Sequence, residues 1–469
     1  MKKFLACIAV LSASCLIFGA CGSSEKVTDS FTSSDSGSNG SYAPDYAGGG
    51  SGESGGWYDK SEGSDGGATG GYESTVPPTD GGTGGSSSPS AGDSPSAGDS
   101  SGAGGIQKPV VKQLTGAEWR DAFNYDRWLK LFEKDIPIEG QNGQYTKDGI
   151  FSQYAKATRG LETFEMHEVY VSCDDNPVVG ANVTLYSENS VAYSAVTDST
   201  GTAYVFGNGT QVEAVSGEFS ASAAVSDDVT QITLSGCAAY EDELEIMFVV
   251  DTTGSMGDEL SFLCNELAGI VTRVTSSLDC KIRLGLLFYR DKGDQYVTKK
   301  SDFVYVNSPE GLSTVVNDIK SQHASGGGDY PEAVDTALKE AVEADWHSDS
   351  KTKLIFHVLD APYHDAQQNQ SVFADAVKNA AQQGIRVIPV AASGLNVLGQ
   401  YIMRSAALLT GGTYTFLTDD SGIGNRHELP AVGAFTVEYL SDLMVRLIKG
   451  YYTGTFEDPV YWLQSDKIA

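Results

Sequence analysis

Three oxygen-bearing side chains stand at alternate positions directly after an apolar run. The run at 244–250 ends at Asp251, and Thr253 and Ser255 follow it. A buried parallel strand that delivers a carboxylate and two hydroxyls to its carboxyl end supplies oxygen ligands of the kind that divalent cations bind. The spacing therefore predicts a cation site, with simple helix capping by Asp251 as the alternative.

The elements that must position these side chains alternate between strand and helix. The sequence predicts strands at 244–250, 281–289, 296–305, 353–359, 386–391 and 412–417. It predicts helices at 257–277, 310–321, 331–343, 372–383, 398–409 and 437–449. This alternation predicts an α/β domain at 243–452, built on an open, mostly parallel, doubly wound sheet, with a tail at 453–469. Ligands of such sheets bind at the carboxyl ends of the strands, where Asp251 falls.

The Asp-x-Thr-x-Ser pattern resembles the metal-ion-dependent adhesion site of von Willebrand factor A (vWA) domains. The resemblance covers less than half of the chain and includes two further loops. The stretch SGGGDYPE at 325–332 is similar to the family's second loop, and HVLDAP, which contains Asp360, is similar to the third. The resemblance implies that Thr253 and Ser255 provide hydroxyls, and that Asp251 and Asp360 bind the cation directly or through water.

The resemblance also implies that Asp329 is a ligand, at a place where integrin-type domains commonly use threonine. A further carboxylate would tighten cation binding and make the metal less electrophilic toward an acidic group of a partner. The spacing of Asp329, Pro331 and Glu332 also matches a capping box, which leaves Ser325 as the donor in that alternative. Oxygen donors alone favour Mg²⁺, with Ca²⁺ or Mn²⁺ as alternatives, and no His/Cys set has zinc spacing.

Further polar side chains surround this predicted edge. Asp291 ends a Tyr-Arg-Asp stretch that resembles a rim segment of the same family, and His364 follows Asp360 closely enough to reach the rim. His357 lies inside an apolar strand, which predicts a hydrogen-bonded core residue. The donor-rich loop at 418–427 predicts a second cation or partner site, or alternatively a turn that its own side chains cap. Its candidate ligands are Asp419, Asp420 and Asn425.

The first 20 residues have the pattern of an export signal. Lys2 and Lys3 precede an apolar stretch at 4–18 that is short for a membrane span. The ending FGAC is similar to a bacterial lipobox, although phenylalanine replaces the usual leucine, and this resemblance implies lipidation of Cys21. The alternative is ordinary signal cleavage near Ala20, which leaves Cys21 as a thiol.

The next stretch, 21–106, is rich in Gly, Ser, Asp and Pro and contains the repeat SPSAGDSPSAGDS. Such a sequence buries too little apolar surface to offset its ordering entropy, which predicts a disordered linker. The formal net charge of the whole chain is −31, and no basic run is present to neutralise phosphates. The composition therefore excludes nucleic acid as the expected partner.

Two regions separate the linker from the α/β domain. A capping-box spacing from Thr115 to Glu118 predicts a helical segment within 107–163, whose aromatic side chains pack on the next domain. These are Trp119, Phe123, Trp128 and Phe132. Short alternating strands at 164–237 predict a small β-sandwich, and they resemble the carboxypeptidase-regulatory-like or transthyretin-like modules of surface proteins. That resemblance implies a stalk.

The cysteines beyond the signal divide into two groups. Cys173 and Cys237 flank the predicted sandwich, and export permits a disulfide between them. A helix separates Cys264 from Cys280 by more than disulfide reach, so we expect Cys264 to act as a small buried apolar residue.

These patterns predict an exported protein that a lipid anchors to the outer face of the cell membrane or to the outer membrane. The expected role is adhesion, in which a cation-loaded vWA-like domain binds a protein or extracellular-matrix partner without catalysis. Two alternatives belong to other classes. One is a chaperone-like or assembly component of envelope complexes. The other is a metal-dependent hydrolase, for which no spacing of nucleophile and base is recognisable.

Overall fold

The computed structural model describes residues 113–133, 137–139, 145–147 and 149–462. Every described residue belongs to one compact unit, Ser101–Ala469. The predicted signal, Cys21 and the whole of the predicted linker lie outside the described residues. Within that described part, no helix is both long and apolar enough to cross a membrane.

The elements before the α/β domain are mostly short strands. They are β1 (Thr115–Trp119), α1 (Tyr125–Lys130), β2 (Pro137–Glu139), β3 (Tyr145–Lys147), β4 (Met166–Cys173), β5 (Asn176–Pro177), β6 (Asn182–Ser187), β7 (Ser190–Val196), β8 (Thr202–Phe206), β9 (Gln211–Ser216), β10 (Phe219–Ala224) and β11 (Thr230–Leu234). The elements that follow are β12 (Glu241–Asp251), α2 (Leu260–Ser277), β13 (Lys281–Tyr289), β14 (Thr298–Lys300), β15 (Val304–Tyr305), α3 (Pro309–Lys320), α4 (Val334–Val342), β16 (Ser350–Leu359), α5 (Gln367–Gln382), β17 (Ile385–Ala391), α6 (Val397–Thr410), β18 (Tyr414–Thr418), β19 (Glu438–Tyr439) and α7 (Leu440–Thr453).

The main sheet has the order β14-β13-β12-β16-β17-β18-β1-β19, and β15 also pairs with β13. Its central strands β13, β12, β16, β17 and β18 are parallel, whereas β1, β14, β15 and β19 run antiparallel to their neighbours. The predicted α/β class with a mostly parallel sheet is confirmed. The single strand predicted at 296–305 is instead divided into β14 and β15.

Helices cover both faces of this sheet because side chains alternate along each strand. In β12, Met247 and Val249 pack in the cluster that includes α4, α5 and α6, while Ile246 and Phe248 pack with α2, α3 and α7. Both faces are apolar, as expected for a parallel sheet that is buried on two sides.

The predicted helix after the capping-box spacing is wrong at its start. Thr115–Trp119 is strand β1, which pairs with β18 and β19, and the helix α1 covers only Tyr125–Lys130. Tertiary pairing outweighs the local pattern: the Thr115 hydroxyl lies 2.9 Å from that of Thr418, and Glu118 pairs with Arg446.

The aromatic packing is partly as predicted, since Trp128, Phe132 and Phe151 contact one another and the last two contact Tyr401. Phe123, in contrast, is 67% exposed.

The strands β4–β11 form two four-stranded sheets, which we call the two-sheet region (residues 166–234). Because β1 already belongs to the main sheet, this region is inserted between β1 and β12 and does not precede the α/β domain as a stalk. It contacts that domain directly. Tyr193 donates a hydrogen bond of 2.7 Å to the carbonyl of Leu409, and Ser199 donates one of 2.7 Å to the carbonyl of Tyr451.

Candidate metal site

The predicted site residues meet at one edge of the main sheet because three parallel strands end there. Asp251 is the last residue of β12 and pairs in register with Tyr289, the last residue of β13. On the other side, Val250 pairs with Val358 of β16, so the following Asp360 lies at the same edge. The position is the one that the fold rule predicts for a ligand.

The first loop is organised by the carboxylate of Asp251. Its Oδ1 accepts hydrogen bonds from the backbone N–H of Thr253 (2.8 Å) and from the Thr253 hydroxyl (2.7 Å). The Ser255 hydroxyl lies 3.2 Å from that of Thr253. Asp251 and Thr253 are buried and Ser255 is exposed. Helix α2 begins only at Leu260, so Asp251 orders this loop and does not cap that helix.

The second loop is held against the first by backbone contacts that need glycine. Gly326 and Gly327 have φ angles of 81° and 74°, in the left-handed region that favours glycine. The carbonyl of Gly326 accepts a hydrogen bond of 3.0 Å from the N–H of Gly254, and the N–H of Gly327 donates one of 2.8 Å to Asp294. A Cβ on Gly326 would come within 2.5 Å of the Asp294 carboxyl group. The triple glycine therefore fixes the shape of this loop.

Glu332 supplies the buried carboxylate of this loop, and the sequence prediction missed it. Glu332 is 2% exposed, whereas the side chain of the predicted ligand Asp329 is 66% exposed. The Glu332 N–H donates to the carbonyl of Pro362 (3.0 Å), which joins the second loop to the third. Its carboxylate lies beside Gly327, which itself adjoins Thr253. The sequence did carry a signal, because two apolar residues, Ala333 and Val334, follow Glu332 directly. All three residues are buried in the structure.

The buried carboxylates of the site disfavour one another's ionised forms. Burial, followed by the charge of Asp360, raises the pKa of Asp251 to about 7. Burial, followed by the charges of Asp251, Asp291 and Asp360, raises the pKa of Glu332 to about 9. Among the described residues, no hydrogen-bond donor at ordinary geometry reaches the buried oxygens Asp251 Oδ2 and Glu332 Oε2. Burying like charges without compensation is costly, so this edge fits a bound cation.

The donor set is made of oxygen atoms alone. It comprises the carboxylates of Asp251, Glu332 and Asp360 and the hydroxyls of Thr253 and Ser255. Mg²⁺, Ca²⁺ and Mn²⁺ all accept such ligands. A bound divalent cation would offset part of the negative charge of the carboxylates and offer remaining coordination positions at the exposed side of the loop.

Asp329 belongs instead to a polar rim with Asp291 and His364. His364 Nε2 lies 2.7 Å from Asp291 Oδ1, and its Nδ1 lies 3.9 Å from Asp329 Oδ2. His364 therefore reaches the rim as predicted, where its partners are carboxylates. Tyr330 closes the rim on another side, since its hydroxyl donates to the carbonyl of Gly394 (2.7 Å).

His357 is buried as predicted, but it is not hydrogen-bonded as predicted. Neither ring nitrogen has a hydrogen-bond partner among the described residues. Its ring contacts that of Tyr289 edge-on, with 5.5 Å between centroids. Burial lowers the pKa of His357 to about 3, so the imidazole is neutral. The prediction failed because the residues that flank His357 on its face of the sheet, Val249 of β12 and Pro389 of β17, are apolar.

The donor-rich loop at 418–427 closes on itself through Asp419. Asp419 Oδ1 accepts hydrogen bonds from the backbone N–H (2.9 Å) and Nδ1 (2.8 Å) of His427, and it begins a short 3-10 turn. His427 Nε2 lies 2.9 Å from Glu259 Oε1. Burial lowers the pKa of His427, but Glu259 and Asp419 outweigh this effect and raise it overall. Asp419 thus plays the capping role of the alternative prediction, and Asp420 is exposed.

The four cysteines of the described residues are all thiols. The two thiols of Cys173 and Cys237 are nevertheless neighbours that share a hydrogen bond, and after burial this bond is the next cause that raises the pKa of Cys173. The predicted disulfide is therefore not formed in this structure, although its two sulfur atoms are adjacent. Cys264 is buried on the apolar side of α2, as expected.

A family model described as the von Willebrand factor A domain matches residues 245–396. The chain therefore contains a vWA domain, in agreement with the sheet order and the loop motifs. A curated relative, a putative ariadne-like RING finger protein of Acanthamoeba polyphaga mimivirus, is 31% identical over 131 residues. The match covers 28% of this chain and 12% of the relative, so this chain spans a small part of that protein's length.

Two solved structures show distant similarity. The pilus adhesin SpaC of Lactobacillus rhamnosus GG has 10% identity and a TM-score of 0.33, over 57% of this chain and 36% of that one. The conserved hypothetical protein BatB of Bacteroides thetaiotaomicron has 13% identity and a TM-score of 0.28, over 44% of this chain and 98% of that one. Similarity at this level carries no functional argument.

Proposed function

We propose that the chain is a surface-exposed adhesion or binding protein whose vWA domain holds one divalent cation and engages a partner through it. Asp251, Glu332, Asp360, Thr253 and Ser255 would hold the cation, with Mg²⁺ the expected ion. The observation that carries the proposal is the convergence of three buried carboxylates, Asp251, Glu332 and Asp360, at the carboxyl edge of the sheet, where burial and mutual charge raise the pKa of Asp251 and of Glu332. The proposal assigns no catalytic residue.

The chemistry of the site restricts the partner. Three carboxylates around a divalent cation leave the site negative overall, so it attracts a partner carboxylate weakly. Neutral oxygen donors or basic groups suit it better. The net charge of −31 favours a basic protein or matrix surface for the same reason. We propose further that export and lipidation of Cys21 tether the protein to the outer side of a membrane.

Calorimetric titration of Mg²⁺, Ca²⁺ and Mn²⁺ into the full chain tests whether the chain binds a divalent cation. We expect one ion bound per chain, and loss of binding in Asp251→Ala and Asp360→Ala. Asp420→Asn is a suitable control because Asp420 is an exposed acid outside the site. Equal binding by all four proteins would refute the proposal. A pull-down with and without EDTA then separates a cation-dependent partner from a cation-independent structural role.

A further inference from the structure

Tyr330 presents an aromatic ring to solvent next to the metal site. It follows Asp329 in the second loop, and the residue is 44% exposed. Its hydroxyl donates a hydrogen bond of 2.7 Å to the carbonyl of Gly394 and accepts one of 2.8 Å from the backbone N–H of Asn396. The carbonyl of Asp360, a proposed ligand of the cation, lies 3.4 Å from the same hydroxyl. The backbone therefore holds this ring at a fixed place beside the site.

Basic side chains of this protein repeatedly lie over its exposed aromatic rings. Three such rings have a basic group at a short distance from the ring centroid: Phe123 has Arg120 at 5.2 Å, Tyr240 has Lys351 at 5.9 Å, and Tyr305 has Arg283 at 5.8 Å. Among the described residues, no Lys or Arg lies over the ring of Tyr330. The face of an aromatic ring attracts a cation, so this ring offers a place that the described chain itself does not fill.

The charges around Tyr330 are negative. Partial burial, followed by the charges of Asp360 and Glu428, raises the pKa of Tyr330 to about 12 against the opposing hydrogen bond from a backbone N–H. Glu428 is exposed, and the side chain of Asp329 is 66% exposed, with an ion contact to His364 at 3.9 Å. Carboxylates beside an aromatic ring favour a basic group over a neutral or an acidic one.

We propose that Tyr330 is the platform on which the partner of the metal site places a lysine or arginine side chain, with Asp329 and Glu428 beside it. The basic group would lie over the ring, as Arg283 lies over Tyr305 in this same chain. The proposal rests on the proposed function, because it assumes that the partner meets the cation-bound edge of the sheet. It adds the chemistry of the partner's side chain and a recognition residue that does not bind the cation.

NMR spectroscopy of the tyrosine rings in the full chain tests this platform with two probes, the N-acetyl amides of arginine and of citrulline. The two probes have a similar shape, and only arginine carries a charge. With Mg²⁺ present and at constant ionic strength, we expect a saturable shift of the Tyr330 ring signal with the arginine probe and a much smaller shift with the citrulline probe. Tyr330→Phe assigns the signal. Tyr305 is the internal control, because Arg283 already lies over its ring.

The carboxylate of Glu428 should contribute to the affinity for the arginine probe. Glu428→Gln should weaken binding about two- to fivefold, as expected for an exposed pair of charges. Glu310→Gln, which changes an exposed acid at the start of α3, is the matched control and should leave the affinity unchanged. The proposal is refuted by an unmoved Tyr330 signal, by an equal shift with the citrulline probe, or by equal affinities in the two variants.

The same titration in EDTA separates this proposal from the proposed cation site. The platform consists of protein groups alone, so the shift of the Tyr330 signal should persist in EDTA, and its disappearance there would also refute the platform. Calorimetry with Mg²⁺ reports the cation independently. A shift in a chain that binds no cation would support the platform and refute the cation site, whereas cation binding without a shift would do the reverse.

Discussion

Asp121 accepts two hydrogen bonds from Arg404, a residue 283 positions later in the chain, at 2.6 Å and 2.9 Å. Both side chains are buried, and the guanidinium also donates to the carbonyl of Ala431. The pair joins the segment after β1 to helix α6, with the whole two-sheet region between them in sequence. The α/β domain is therefore assembled from two separate stretches of the chain.

Removal of Asp121 should destabilise the whole domain. Asp121→Ala leaves the buried Arg404 charge without its partner, which costs about 3–5 kcal/mol. The control is Asp365→Ala, which removes an equally short but partly exposed pair with Arg159 and should cost about 0–1 kcal/mol. Urea denaturation of both variants measures the difference. Equal losses would mean that the Asp121 pair is not part of the domain's core.

Glu332 should be a metal ligand, and Asp329 should not. Glu332→Gln removes one of three mutually repelling carboxylates, so it should raise the Tm of the metal-free protein and weaken cation binding at least about tenfold. Asp329→Asn, three residues earlier on the same loop, should change affinity by less than about threefold. Calorimetry and thermal denaturation in EDTA check both effects. A greater loss in Asp329→Asn would reverse the assignment.

The triple glycine should tolerate alanine at one position and not at another. Gly326→Ala forces a side chain into left-handed backbone and against the Asp294 carboxylate, which costs about 1–3 kcal/mol and should weaken cation binding. Gly328→Ala is the matched control, because its added methyl group meets no atom within 4 Å. Thermal stability and cation affinity should fall only in the first variant. Parallel losses would show that the loop is not shaped by its backbone.

Glu266 should make stability fall as pH rises. Burial is the main cause that raises its pKa from 4.5 to about 7, against the opposing hydrogen bond from the Leu114 N–H. Between these two values the folded protein binds more protons than the unfolded chain, so the free energy of unfolding decreases as pH rises through that window. The contribution is on the order of 3 kcal/mol.

Glu266→Gln stays neutral and should remove this part of the pH dependence. Glu310→Gln, an exposed acid at the start of α3, is the control and should leave the dependence unchanged. Urea denaturation in EDTA at about pH 4.5 and about pH 7.5 compares the slopes. An unchanged slope in Glu266→Gln would contradict the prediction.

Cys173 and Cys237 should form a disulfide under oxidising conditions, because the two thiols are neighbours. Mass spectrometry of the oxidised protein should show the loss of two hydrogen atoms and a peptide that links the two residues. Cross-linking closes a long loop, so oxidation should raise stability by up to about 4 kcal/mol. Cys173→Ser should abolish both effects, whereas Cys264→Ala should leave the cross-link intact.

Local patterns were sufficient for the central α/β elements and for the first loop of the site. The prediction at 281–289 coincides with β13, and Asp251 lies where the strand pattern puts it. Strand β12 contains an uninterrupted apolar run at 246–250, and β13 and β16 contain shorter apolar stretches. Such runs specify buried parallel strands, and the chain direction then dictates that their carboxyl ends share one edge.

Only the tertiary structure decided which side chains those elements bring together. Thr115–Trp119 has capping-box spacing, yet pairing with β18 makes it a strand, because long-range hydrogen bonds outweigh a weak local preference. Asp329 and Glu332 are equal carboxylates in the sequence, and burial alone distinguishes them. Tyr330 and Gly394 are distant in the sequence and share a hydrogen bond only because their loops meet at one edge of the sheet. Such relationships depend on packing between segments that are distant in the sequence, and local residue patterns do not specify that packing.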